Sequence, residues 1–112
     1  TGYIYGIICH NCDKFYFGQT GRPLSVRLKE HQYAIRTGNL ASALFLHTQN
    51  CNHKINFNSC SVVTHCKDFV HRNLIESALI SHTFDQNINT SYGMYNLDPF
   101  IIMKILSTCI VK

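Results

Sequence analysis

Cys9 and Cys12, separated by two residues, set two thiols across a tight turn, which is the spacing of a metal clip. His47 and His53, with five residues between them, add two imidazoles, and a soft S₂N₂ donor set of this kind suits tetrahedral Zn²⁺. Four protein donors would leave no position open to a substrate, so such a zinc would be structural. Cys51 is an alternative ligand to His53. On spacing alone the CxxC fits a metal clip or a pair of buried thiols equally well. Cys60, Cys66 and Cys109 read as structural.

A second group of residues carries different chemistry. Hydrolysis of a phosphodiester needs a nucleophile, stabilisation of negative charge on phosphorus, and a leaving-group partner, commonly with a divalent ion. Tyr5 and Tyr16 are phenols eleven positions apart, and Arg27, His31 and Glu76 add a guanidinium, an imidazole and a carboxylate. Taken singly, each has an ordinary structural role: a strand tyrosine, a solvated helix Arg, a surface His, or a helical partner of Arg72. Lys14 and Arg22 are candidate contacts to a phosphate backbone.

The elements that must hold these residues follow from pattern. YIYGIIC and CDKFYFG, broken by His10 and Asn11, predict a β-hairpin over Tyr3 to Gly18. A two-residue turn pairs Cys9 with Cys12 and Tyr5 with Tyr16 on one face. Pro23 and Gly38 bracket a helix predicted over Pro23 to Thr37, with Leu24, Leu28 and Ile35 inward and Arg27 and His31 sharing a face. A short helix follows over Ser42 to Thr48, then an Asn-rich loop from Gln49 to Asn58, then a third strand at CSVVTH. Asp68 predicts an N-cap for a helix over Phe69 to His82, with Val70, Leu74, Ile75, Ala78 and Leu79 apolar and Glu76 off that stripe. QNINTSYGMYNLDP reads as loop, and FIIMKILSTCIV is open to reading as strand, helix or foreign sequence.

Composition sets outer bounds. The chain has 112 residues, 46% apolar and 14% charged, which fits one domain and excludes two. Its longest nearly uncharged apolar stretch, Pro99 to Val111, contains Lys104 and is too short to cross a bilayer, so no membrane partner is expected. A start without Met and without a secretory signal suggests a module cut from something longer. The formal charge of +4 permits a polyanionic partner without requiring one. Seven His beside six Cys favour a reducing, intracellular setting over a disulfide framework.

In order and spacing, Ile4-Tyr5, then Tyr16-Phe17-Gly18, Gln19, Thr20, Arg27, Glu30, His31 and late Glu76 resemble the GIY-YIG nuclease family. Within it the chain is most similar to the endonuclease domain of Penelope-like retroelements, in which two Cys lie between the tyrosine motifs and two His beyond the first helix. Tyr3 stands where the first motif has Gly, and Phe17 where the second has Ile. The resemblance runs from Tyr3 to about Tyr92, giving a domain over residues 1–98 and an apolar tail over 99–112.

The resemblance implies an α+β fold, a small three-stranded antiparallel sheet flanked by helices, with an inserted zinc site at Cys9, Cys12, His47 and His53. It implies a divalent-metal-dependent DNA endonuclease that nicks target DNA for retroelement integration, leaving a 3′ end for a reverse transcriptase domain of the same polyprotein, in the nucleus. Tyr5 would accept a proton from water, Tyr16 and Arg27 would hold the scissile phosphate, and His31 would orient water or touch phosphate. Glu76 would carry Mg²⁺ or Mn²⁺. Asn89 would brace the metal or a phosphate, with Asn87 an equally close candidate. The alternative is a zinc-stabilised DNA-binding module with weakened catalysis.

Overall fold

The computed structural model describes residues 1–89, 93 and 95–109. It is an α+β fold built on a three-stranded antiparallel sheet in the order β2-β1-β3, with β1 at Tyr3–Cys9, β2 at Phe15–Thr20 and β3 at Ile55–His65. The helices are α1 (Leu24–Thr37), α2 (Ala43–Cys51), α3 (Phe69–His82) and α4 (Pro99–Cys109), with a 3₁₀ turn at Phe84–Gln86. No helix among the described residues is long and apolar enough to cross a membrane.

β1 is the central strand and its side chains alternate between two cores. Ile4 packs with Ile75, Ala78 and Leu79 of α3 and with Ile102 and Leu106 of α4. Tyr5, Ile7 and Cys9 pack on the other side with Leu44 of α2 and Ile88, flanked by Leu24, Leu28 and Ile35 of α1. The tail whose type the sequence left open is therefore a helix whose apolar stripe joins the first core. Residues 90–92 and 94 of the predicted loop, and 110–112 of the tail, lie outside the described residues.

Sequence punctuation fixes the helix ends. Gly38 takes the left-handed conformation (φ 72°) that closes α1, its N–H reaching Ala34 and Ile35 carbonyls. Ser42 caps α2 by accepting from the Phe45 N–H, and Asp68 caps α3 by accepting from the His71 N–H.

Three expectations need correction. The β1–β2 register pairs Tyr5 with Gly18 and Ile7 with Tyr16, two residues away from the predicted pairing of Tyr5 with Tyr16. The two-residue turn is replaced by a loop over residues 10–14, closed by Cys9 N–H to Lys14 O at 3.0 Å. This loop docks on the chain before β3, through His10 N–H to Lys54 O and Lys54 N–H to Asn11 Oδ1, both 2.8 Å. A shift of two residues preserves side-chain parity, so Tyr5 and Tyr16 keep the same face.

The predicted loop from Gln49 to Asn58 is instead the last turn of α2, a left-handed Asn52 (φ 55°) that ends it, and the first residues of β3. Asparagine tolerates that conformation and favours turns, which masked the alternation that puts Ile55 and Phe57 against the second core. The same reassignment extends α2 from Thr48 to Cys51 and begins β3 at Ile55 rather than at the CSVVTH run.

The outer edge of β2 is covered. Residues 87–89 run beside it: Ile88 N–H donates to Phe15 O at 2.8 Å, and the Asn89 side chain bonds both the N–H and the carbonyl of Phe17, at 3.0 and 2.8 Å.

Candidate functional site

The even register shift and the position of α1 bring Tyr5, Tyr16 and His31 into an aromatic triangle. Ring centres lie 6.5 Å apart for Tyr5–Tyr16, 5.9 Å for Tyr5–His31 and 5.3 Å for Tyr16–His31. Tyr5 is fully buried, and its hydroxyl is 2.6 Å from His31 Nε2. Burial, reinforced by Tyr16, holds the Tyr5 phenol far above its usual value against the pull of Arg27. Burial and then the Arg27 charge push His31 down to about 4. Both groups are thus neutral near pH 7. We assign the phenol as donor and Nε2 as acceptor, because the guanidinium of Arg27 competes for the phenol's lone pairs.

Burial raises Tyr16 as well, with Arg27 opposing it. For Arg27 itself burial works against charge, but Tyr5, Glu30 and Tyr16 outweigh it and keep the guanidinium protonated. Glu30 is the residue that organises this cation: one oxygen accepts from Arg27 at 3.1 Å and from Arg22 at 2.7 Å, and both arginines hold its carboxyl below the usual range.

Glu76, on α3, lies near enough to Tyr5, Tyr16 and Arg27 to act on each electrostatically. Burial pushes its carboxyl up to about 7, opposed by Arg27, the Gln19 backbone N–H and Arg72. No described ion pair reaches it. Arg72 is spent elsewhere: it donates to Gln19 Oε1 at 2.7 Å and to the carbonyls of Cys66 and Lys67 at 3.3 and 3.0 Å. A half-buried carboxylate with no ion pair among the described residues fits a divalent ion, which would neutralise it and keep water in its remaining positions.

A cavity of about 810 Å³ opens beside this group. Tyr16, Arg22, Arg27, Glu30, His31 and Asn89 line it, and Tyr5 and Glu76 do not. Asn89 shows its amide there but has committed both ends of it to the Phe17 backbone. Asn87 is elsewhere, its NH₂ bonded to the carbonyls of Ile80 and Thr83 behind α3. Lys14 sits in the loop at the opposite end of the hairpin, next to His47.

That end of the hairpin carries the Cys/His group. The donor atoms of Cys9, Cys12, His47 and His53 lie within 4.8 Å of one another. Individual separations are 3.3 Å (His47–Cys9), 3.5 Å (Cys9–His53), 3.7 Å (Cys12–His47) and 3.3 Å (His53–His47). Zinc bonds of about 2.3 Å to sulfur and about 2.0 Å to nitrogen give tetrahedron edges of roughly 3.5 Å for S–N and roughly 3.3 Å for N–N. These four separations match those edges within about 0.2 Å, so the residues fit a tetrahedral metal such as zinc. Cys51 is exposed and outside the group, and all six thiols are free.

The sequence did not single out Gly18 as the space that receives Tyr5, Glu30 as the tie between two arginines, or Arg72 as the anchor of Gln19. The Gly of the second tyrosine motif was a signal for the first. The Arg72–Gln19 bond spans 53 residues and leaves no local trace. No protein-family model matches the chain, and neither a curated protein nor a solved structure does.

Proposed function

We propose that the protein is a divalent-metal-dependent DNA endonuclease of GIY-YIG type, similar to the endonuclease domain of Penelope-like retroelements. The observation that carries this reading is the convergence of Tyr5, Tyr16, Arg27, His31 and Glu76 from β1, β2, α1 and α3 around one cation. Tyr16 and Arg27, at the cavity, receive the scissile phosphate, the guanidinium offering a planar fork of donors. The attacking water gives its proton to the Tyr5 oxygen in the same step as the Tyr5 hydroxyl proton moves to His31 Nε2 across 2.6 Å, so the phenol stays neutral and His31 carries the proton away. Water oxygen bonds to phosphorus as the P–O3′ bond breaks, and the proton taken up by His31, which lines the cavity, passes to the 3′ oxygen, which leaves as a hydroxyl. Glu76 would hold Mg²⁺ or Mn²⁺, which supplies charge neutralisation at phosphorus. Zinc at the hairpin tip is structural.

In a retroelement the 3′ end would prime a reverse transcriptase domain of the same polyprotein in the nucleus. The complete burial of Tyr5 favours a second reading, a DNA-binding module that grips without cutting. One assay separates the two. Zinc-loaded protein should nick supercoiled plasmid with Mg²⁺ or Mn²⁺, and Glu76→Gln should abolish nicking while retaining DNA binding. Binding without nicking in either ion overturns the endonuclease.

A further inference from the structure

The same cavity is also lined by Val26, Tyr33 and Ala34 of α1 and by Asn39 and the segment 41–44 leading into α2. Tyr33 is 59% exposed, and the Arg36 guanidinium lies over its ring at 5.3 Å from the centroid, leaving the second face for a planar ligand. Ala34, Ala41 and Ala43 give walls of methyl groups. Asn39 uses its Oδ1 on the Ala41 N–H at 2.9 Å, which leaves its NH₂ uncommitted among the described residues. Arg22, Arg27 and Lys29 against Glu30 make the lining cationic. The volume lies in the range of small-ligand sites.

A planar, hydrogen-bonding ligand joined to an anion fits these features together. Tyr33 follows Arg27 by six residues, about 9 Å along the helix axis, and both line the one cavity. We propose that this part of the cavity binds a single unpaired nucleobase, stacked on Tyr33, next to the phosphate held at Tyr16 and Arg27. The inference rests on the endonuclease reading for that phosphate, and it names the substrate class: DNA with an unpaired nucleotide beside the cut. A paired base has its edge taken by its partner and its faces by its stacked neighbours, so it would first have to be flipped out at a cost of about a few kcal/mol.

The test uses zinc-loaded protein and a short oligonucleotide carrying one 2-aminopurine, either single-stranded or fully paired. Stacking should quench the single-stranded probe and leave the paired one unchanged. Tyr33→Phe should retain quenching, and Tyr33→Ala should weaken binding at least about five-fold, the lower end for a base on an aromatic ring. Equal quenching of both probes, or parental binding by a folded Tyr33→Ala, overturns the base site. Plasmid nicking is measured alongside. Nicking without Tyr33-dependent quenching removes the base site and keeps the endonuclease, whereas Tyr33-dependent quenching without nicking keeps the base site and removes the endonuclease.

Discussion

The ring and hydroxyl of Tyr5 occupy the space that a side chain on Gly18 would need, directly across the β1–β2 pair. A Cβ at Gly18 collides with the phenol oxygen and the ring carbon that bears it. Gly6, one residue on, has nothing closer than 3.6 Å to a built Cβ. Gly18→Ala should therefore cost about 1–3 kcal/mol as an overpacked site, with Tyr5 driven off His31, and Gly6→Ala should change stability by about 0.5 kcal/mol or less. Urea unfolding of the three proteins checks this, and equal midpoints would refute the placement of Tyr5.

Zinc is the next prediction. Purified protein should hold one zinc per chain and lose its folded signal on chelation, since a bound structural metal adds to folding free energy. Cys12→Ser and His53→Ala should release metal, whereas Cys51→Ser should keep it. Elemental analysis of each variant decides, and retention by His53→Ala would remove His53 from the site.

Two shifted groups should oppose each other in acid. Glu76, raised from 4.5 to about 7, holds its proton more tightly in the folded chain, so its contribution is present at low pH and is lost as pH rises through 7. His31, lowered from 6.5 to about 4, holds its proton less tightly when folded, so its contribution is present above 6.5 and is lost as pH falls through 4. Each slope is at most about 1.4 kcal/mol per pH unit, and they offset between pH 4.5 and 6.5. Relative to the parent at saturating zinc, Glu76→Gln should gain stability as pH rises across that window and His31→Gln should lose it. Parallel profiles for all three would show that neither group is buried as described.

Arg27→Ala should slow nicking about 10²–10³-fold, the usual loss for a group aimed at transition-state charge, with a modest change in DNA binding. Arg27→Lys should recover only part of the rate, because an ammonium cannot serve Glu30, the two phenols and a phosphate at once. Full recovery by Lys would mean that charge alone acts here.

How far the sequence disclosed this molecule depends on the range of each signal. The α3 boundaries and the Asp68 cap were legible because cap and periodicity are local, and α1 was legible for the same reason. The hairpin was legible in kind but misregistered, since the loop over residues 10–14 answers to Lys54, which no local rule reveals. The strand start at Ile55 was hidden by Asn56 and Asn58, residues that favour turns; here Asn56 pairs with Ile8, and Asn58 lies in the irregularity between the Ile8 and Gly6 pairings. Tyr5, Tyr16, Arg27 and His31 were each unremarkable singly and came to notice through their order. Their mutual distances depend on a sheet face that pairing parity fixes and on the seating of α1, which is set by packing.

The three residues laid along β2 have a consequence for behaviour in concentrated solution. An exposed strand edge is a template on which a second chain can add, and the main-chain groups of Phe15 and Phe17 would form such a template. Ile88 and Asn89 occupy those groups. An Asn89→Ala variant would keep every other catalytic candidate and both cores, yet it would free the N–H and carbonyl of Phe17 and present an aromatic edge beside the cavity. Its aggregation would then be mistaken for loss of the active site.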